Sequence, residues 1–224
     1  MKCYKIIVDH KFTEIAVDDE FFLWNESGFL NTNPEHGNVL CHKTIIYHDS
    51  DWMKEVPDGL FYVEAKIIEI DKDEYNFLFD LIANDNCDNY ELVILDFKQK
   101  HKIQLMSEVC RSTIENGFDI ELEGGIKHFS LTTQDQININ TLVLLSSQLE
   151  LIPYHADDES CAFFTKSVFN EIAQKATQYI TYHVTYFNSL KKYIESLTTE
   201  SEIDAVTYGM EIPDNFKSVV LNTL

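Results

Sequence analysis

The sequence predicts an α+β protein: a small N-terminal antiparallel β-rich domain with one helix, followed by a mainly helical C-terminal domain. Three observations support this fold class. Short segments rich in β-branched and aromatic residues fill the first part of the 224-residue chain. Two hairpin patterns interrupt the second part, and a long segment near its end keeps helical apolar spacing. The hydrophobic fraction of 45% is large enough to form a buried core.

The first part of the chain is predicted to form strands and then a helix. We expect strands in CYKIIVD, KFTEIAV, NVLCHKTIIYH and LFYVEAKIIEI, whose residues suit a pleated sheet. The segment DKDEYNFLFDLIAND predicts a helix, because acidic residues occupy its first turn and apolar residues follow at helical spacing. Polar residues 84–89 then indicate a boundary, so the predicted domains are residues 1–88 and 89–224.

The C-terminal domain is predicted to begin with a helix over about residues 90–115. Gly117 ends this helix, because glycine accepts the left-handed backbone of a C-terminal stop. Gly124 and Gly125 indicate a tight hairpin, and IPYHADDESCAFFT indicates a second one. Between the two hairpins, HFSLTTQDQININTL begins like a strand, becomes polar, and then becomes apolar again.

This polar stretch is predicted to be a structural joint between a hairpin and a helix. Thr132 or Thr133 suits the N-cap position, where a side-chain oxygen accepts from a free backbone amide. We expect Asp135 and Gln136 to tie the start of the helix to the preceding turn. The helix that follows is expected to pack through Ile137, Leu142, Leu145 and Leu149.

The longest element is predicted at residues 166–197, with Thr165 as its cap. Its apolar residues alternate at spacings of three and four, which is a heptad seam. Such a seam fits either packing within the chain or contact with copies of it, and the sequence leaves both open. His183 is either a polar group that sets register or a satisfied core residue. The candidate interface residues are Ile180, His183, Phe187, Leu190 and Ile194.

Composition restricts the possible partners. The formal net charge of −21 repels phosphate, so we expect no nucleic-acid binding. A self-repelling soluble surface explains this charge, and basic protein surfaces or divalent cations remain possible counterparts. The five cysteines are scattered without a CxxC pair, which indicates reduced thiols in a cytosol. No apolar run reaches the length of about 18 residues that spans a bilayer, so we expect no membrane insertion.

Two clusters of possible ligands do not have the spacing of a metal site. On a single strand, His42 and His48 would lie roughly 20 Å apart, too far to share an ion unless the chain folds back. The second cluster lacks the alternating ligands and the glycine of a calcium loop. Nucleophile and phosphate-loop motifs are also missing, so we expect no enzymatic activity, catalytic residue, cofactor or metal. The clusters are Cys41, His42, His48, Asp49 and Asp51, and His155, Asp157, Asp158 and Glu159.

A resemblance adds a biological context. GGIKHFSLTTQDQININTL, IPYHADDES and YITYHVTYFNSLKKYIESLTTESEIDAV resemble, over about residues 108–213, a domain of unknown function found in tail-region proteins of bacteriophages and prophages. YKIIVDHKFTEIAV and YHDSDWM are similar, more weakly, to N-terminal modules of such proteins from prophages of Gram-positive bacteria. The matching positions are Phe129, Asp135, Gln136, Asn138, Tyr154, His155, His183, Leu190, Lys191, Thr199, Ile203 and Val206.

The resemblance implies a structural component of a phage tail, in the baseplate or tail-fibre region, made in the bacterial cytoplasm and located in the virion. Its implied partners are other tail proteins. It also implies a homo-oligomer, because tail parts usually follow threefold or sixfold symmetry. Two alternatives remain: a tail-fibre assembly chaperone absent from the virion, and a host-receptor-binding module whose loops contact a cell-surface glycan. The family has no established catalytic residues to transfer to this chain.

Overall fold

The computed structural model describes residues 2–17, 39–42, 45–48, 61–85 and 87–223. It confirms the α+β class, since small and mostly antiparallel sheets occur beside long helices, one of 31 residues. The chain divides into two compact units, residues 1–94 and 95–224. The boundary predicted between residues 88 and 89 lies just before this division, in a 3-10 turn that leads into a helix.

The first unit contains two three-stranded sheets and one helix. The strand orders are β2-β1-β6 and β3-β4-β5, and β4 and β5 form the one parallel pair of these two sheets. The elements are β1 (Cys3–Val8), β2 (Lys11–Val17), β3 (Val39–His42), β4 (Ile45–His48), β5 (Phe61–Glu64), β6 (Lys66–Ile70) and α1 (Lys72–Ala83).

Two segments that the sequence predicts as single strands are each divided. NVLCHKTIIYH forms the antiparallel pair β3 and β4, with Val39 opposite His48. LFYVEAKIIEI is interrupted at Ala65, and its halves β5 and β6 join different sheets. The turn between β1 and β2 lies at Asp9 and His10. Both have positive φ, as a two-residue type I′ turn requires.

A small buried cluster joins these sheets. Its members are the buried side chains Ile6, Ala16, Tyr47, Ala65 and Ile67. The Tyr47 hydroxyl donates to the Glu14 carboxylate over 2.9 Å. Burial, the largest cause, and this hydrogen bond both raise the pKa of Tyr47, because each disfavours the phenolate. The hydroxyl therefore remains a donor throughout the pH range in which proteins are folded.

A buried ion pair lies beside this cluster. Lys5 of β1 donates to the Glu74 carboxylate over 2.8 Å and to the Tyr90 hydroxyl over 2.9 Å. The Lys5 and Glu74 side chains are only 3% and 2% exposed. The Asp71 carboxylate caps α1 by accepting from the Glu74 amide, which places Glu74 in the first turn. Cap and ion pair together fix α1 against β1.

The second unit consists of two hairpins and three helices, together with most of the helix that begins at Tyr90. The hairpins β7–β8 and β9–β10 are antiparallel and each forms its own two-stranded sheet, as the sequence predicts. The elements are α2 (Tyr90–Asn116), β7 (Phe118–Leu122), β8 (Gly125–Phe129), α3 (Thr133–Leu145), β9 (Leu151–Tyr154), β10 (Ala162–Thr165), α4 (Lys166–Ser196) and α5 (Glu200–Asp204).

Two hydrophobic clusters lie along α4. The first surrounds its N-terminal half and includes Phe129, Ile152 and Phe169, each at most 1% exposed. The second surrounds its C-terminal half with residues of α2, α5 and the C-terminal segment, such as Met106 and Ile212. In the described ranges, every helix is either too short or too polar to cross a membrane.

Gly117 allows the chain to turn directly from α2 into β7. Its φ is +82°, and its amide donates to the Ile114 carbonyl over 3.0 Å, as expected at a helix stop. A Cβ at this position would lie 1.9 Å from the Phe129 carbonyl oxygen. The close approach of β8 to the end of α2 therefore depends on the missing side chain.

Replacing Glu74 by alanine is expected to lower the free energy of unfolding by about 3–5 kcal/mol, because the buried lysine loses its carboxylate partner. The matched control is Glu69→Ala, which breaks an exposed ion pair with Lys2. That variant is expected to lose less than about 1 kcal/mol. Urea denaturation measures both, and equal losses in the two variants would contradict the role given to burial.

Candidate functional site

Two acids of the second cluster of possible metal ligands, Asp157 and Glu159, have partners within the chain. Two acids of the first cluster, Asp49 and Asp51, lie outside the described residues. At the second hairpin, the Asp157 carboxylate accepts from the Ser130 amide and hydroxyl, and Glu159 accepts from Lys127 over 2.6 Å. These two acids therefore connect the β9–β10 hairpin to the β7–β8 hairpin and to Ser130, which follows it. Within the described ranges, no group of three or more His, Cys, Asp or Glu side chains is placed to hold a metal ion.

The candidate interface on α4 is largely internal. Leu190 and Ile194 are 0% exposed and belong to the cluster around the C-terminal half of the helix. Ile180 and Phe187 are partly buried against the same chain. A second copy could reach Leu190 or Ile194 only if this core opened. The interface proposed at these two positions is therefore corrected: they are core residues of one chain.

His183 is a half-buried residue with partners in its own chain. Its Nδ1 lies 3.1 Å from the Tyr208 hydroxyl, and its carbonyl oxygen accepts from the Cys110 thiol over 3.5 Å. The Tyr179 ring meets the imidazole edge to face, with centroids 4.5 Å apart. Burial lowers the pKa of His183, so the neutral imidazole is favoured. These contacts agree with a satisfied core histidine.

The predicted joint at the start of α3 is confirmed. Thr132 is the N-cap: its side chain accepts from the Asp135 amide, and the Asp135 carboxylate accepts from the Thr132 amide over 3.0 Å. This reciprocal pair is a capping box. The Gln136 side chain donates to the Leu131 carbonyl over 2.8 Å. Since Leu131 is fully buried, the joint fixes α3 to a residue of the core.

An imidazole stabilises the hairpin that leads into this joint. His128 Nδ1 lies 2.6 Å from the Asp119 carboxylate, and Nε2 lies 2.6 Å from the Asn116 carbonyl oxygen. Both acceptors are satisfied only when both ring nitrogens carry hydrogen, which is the charged form. Asn116 is the last residue of α2, where the helix dipole favours a cation. The hydrogen bond that His128 donates to the Asp119 carboxylate, the largest cause, raises the pKa of His128.

Beyond this joint, α3 presents apolar side chains on two opposite faces. Ile139 is 4% exposed and faces the core. On the other side, Ile137 is 53% exposed and Leu144 is 79% exposed. We call the residues Ile137, Thr141, Leu144 and Leu145 the α3 outer stripe. Thr141 lies four residues after Ile137, and Leu144 and Leu145 lie three and four residues after Thr141, so these spacings place them on one helix face. The inward packing predicted for Ile137 and Leu145 is wrong.

A second exposed apolar surface lies on the β9–β10 hairpin. Side chains alternate across this hairpin, so Ile152 and Tyr154 face the core while Leu151 and Pro153 face outward. Phe163 lies opposite Pro153 in the strand register and is 72% exposed. We call Leu151, Pro153 and Phe163 the hairpin face. Sequence reasoning missed both surfaces. All four residues of LIPY are apolar, so no alternation in the sequence identifies the outward pair.

Replacing Asp135 and Gln136 together by alanine is expected to lower the free energy of unfolding by about 1–2 kcal/mol, because the cap and the tie to Leu131 are lost. Gln134→Ala/Asn138→Ala is the matched control, since it removes an exposed hydrogen bond on the same helix. That control is expected to change stability by less than about 0.5 kcal/mol. A thermal midpoint left unchanged by the first double substitution would argue against the joint.

The stabilisation from His128 is expected to depend on pH. Its folded pKa is raised above 6.5, so the folded chain binds more protons than the unfolded chain as pH rises past that value. The contribution is complete below pH of about 6 and is lost as pH rises through the folded pKa. The difference in thermal midpoint between the wild type and His128→Gln should shrink over that range, and Asp119→Asn should flatten the same profile. A difference independent of pH would refute the charged imidazole.

Comparisons with known proteins give this site no relative: no protein-family model, curated protein or solved structure matches the chain. The resemblance to phage tail-region proteins therefore remains an expectation that depends on the sequence motifs. The residues that carry most of those motifs lie in the unit formed by residues 95–224. That unit also carries the α3 outer stripe and the hairpin face, which are two exposed apolar surfaces.

Proposed function

We propose that this chain is a structural component of a bacteriophage tail, in the baseplate or tail-fibre region, and that it acts by protein–protein assembly rather than catalysis. The observation that carries the proposal is the α3 outer stripe. Leu144 is 79% exposed, so it contributes little to the core. Apolar side chains grouped on one exposed face are typical of contact surfaces. The sequence motifs supply the tail context.

The hairpin face supports the same function from a second direction. Phe163 is an aromatic side chain that is 72% exposed beside an exposed proline, and buried aromatic side chains often contribute most of the affinity at interfaces. A chain with two separate apolar surfaces can contact two neighbours at once. Bridging of neighbours is what a baseplate or fibre component must do.

Mass spectrometry of purified phage particles tests the tail assignment. We expect the chain to copurify with the tail proteins at a fixed ratio to them. If it is absent from particles but bound to a tail protein in the lysate before assembly, the chaperone alternative replaces the proposal. If it is absent from particles and bound to no tail protein, the proposal is wrong. Binding of the isolated chain to host cells would favour receptor recognition instead.

The variant Phe163→Glu tests the contact surface itself. Because Phe163 is mostly exposed, the substitution should change the free energy of unfolding by less than about 0.5 kcal/mol. Incorporation into particles is nevertheless expected to fall, since a charge replaces an apolar contact. Ile126→Glu is the matched control, because Ile126 is 75% exposed on the other hairpin. Equal incorporation of the two variants would argue against the hairpin face as the contact.

A further inference from the structure

We propose that the α3 outer stripe binds the same stripe of a second copy of this chain, with the two helices antiparallel across a twofold axis. This inference rests on the proposed function, because it names one partner for a surface to which that function assigns assembly. It differs from the seam contact considered on α4, whose residues are internal. Four features lead to it. Three belong to α3: the absence of charged residues, the amide side chains around the stripe, and the spacing of the apolar residues. The fourth is the net charge of the whole chain.

The first feature is the absence of charge along the helix. The chain has no charged residue or histidine between Asp135 and Glu150. A quarter of all residues are charged, so this interval differs from the average composition of the chain. An isologous contact brings each group near its own copy, and a charged face would therefore repel itself. The α3 outer stripe avoids that repulsion.

The second feature is the chemistry of the polar residues around the stripe. Gln134, Asn138 and Asn140 are exposed on the same helix, and all three carry amide side chains. An amide contains both a donor and an acceptor, so it can pair with a copy of itself. Carboxylates and ammonium groups offer only one of these roles when charged. A surface of apolar and amide groups is thus complementary to itself. Binding to a basic or acidic partner would not require this self-complementarity.

The third feature is the spacing of the apolar residues. The point midway between Ile137 and Leu144 lies between residues 140 and 141, beside Thr141 and in the C-terminal half of α3. In an antiparallel pair, Ile137 of each copy would face Leu144 of the other. The small Thr141 side chains would meet near the axis, where they allow close helix approach. The 13 residues of α3 span about 20 Å, which is long enough for this contact.

The fourth feature gives the contact a distinctive dependence on salt. Each copy carries a net charge of −21, so two copies repel each other at long range. Added salt screens this repulsion while leaving the apolar contact in place. Association of two copies should therefore become tighter as salt rises. Association with a basic partner would instead become weaker, so the sign of the salt effect distinguishes the two.

Analytical ultracentrifugation of the full chain tests the proposal. We expect a monomer–dimer equilibrium at concentrations up to about 100 μM, with a smaller Kd in about 0.5 M NaCl than in about 0.05 M NaCl. Leu144→Glu is expected to raise Kd by about tenfold or more, because a charge enters the apolar contact. Ile126→Glu adds the same charge at a similarly exposed apolar side chain, and it should leave Kd within about twofold.

A charge-pair rescue tests the antiparallel geometry. Leu144→Glu and Ile137→Lys should each dimerise weakly alone, whereas an equimolar mixture should form a mixed dimer in which Glu faces Lys. Both sites are exposed, so thermal midpoints close to that of the wild type should show that the variants fold. A wild type that stays monomeric at every concentration, a Kd that Leu144→Glu does not change, or a mixture that forms no mixed dimer would each overturn the proposal.

The outcome is separable from that of the tail assignment. A chain that dimerises through α3 but is absent from phage particles would refute the tail function and leave the self-association intact. A chain that is present in particles but monomeric in the ultracentrifuge would refute the self-association and leave the tail function intact. The two experiments share no reagent other than the wild-type chain.

Discussion

The fold of the second unit depends on one constraint: the apolar side of α4 must be covered by other elements. A 31-residue amphipathic helix cannot leave such a stripe in water, because each large apolar side chain gains about 1.5–3 kcal/mol on full burial. Both hairpins and α3 cover its first half, while α2, α5 and the C-terminal segment cover its second half. The stripe is therefore used within one chain, and the α3 outer stripe and the hairpin face lie on elements that cover it.

Of those covering elements, α3 is held by its N-terminal end as well as by the packing along its length. Ile139 is its one fully buried side chain, and Leu142 is only partly buried against the same cluster. The capping box and the tie from Gln136 to Leu131 contribute about 1–2 kcal/mol, similar to the burial of one apolar residue. A helix fixed in this way keeps its outer face free while its direction stays defined.

Features that depend on neighbouring residues could be predicted from the sequence, and features that depend on distant contacts could not. The stop at Gly117 and the cap at Thr132 are local, because they depend on one backbone angle or one short hydrogen-bonded loop. The faces of α3 were not predictable, since apolar residues occupy both sides and periodicity identifies no inward one. The break at Ala65 was also missed, because each half of that segment suits a strand equally well.

The pair of Asp119 and His128 is an intermediate case. Once the turn is placed at Gly124, the hairpin register sets these two residues directly opposite each other. An acid facing a histidine across a hairpin is a visible signal, since cross-strand pairs interact directly. The second contact, with the Asn116 carbonyl, was not predictable, because it requires the end of α2 to turn sharply at Gly117.

Electrostatics and apolar contact would have separate roles in the assembly that we propose. With a net charge of −21, most orientations in which two copies meet place acidic surfaces together and are repelled. An approach through the interval between Asp135 and Glu150 avoids close contact between like charges. The charge then selects the orientation, while the side chains of the α3 outer stripe supply the affinity. A more neutral surface with the same stripe would associate in more orientations, and the geometry needed for a symmetric assembly would be less well defined.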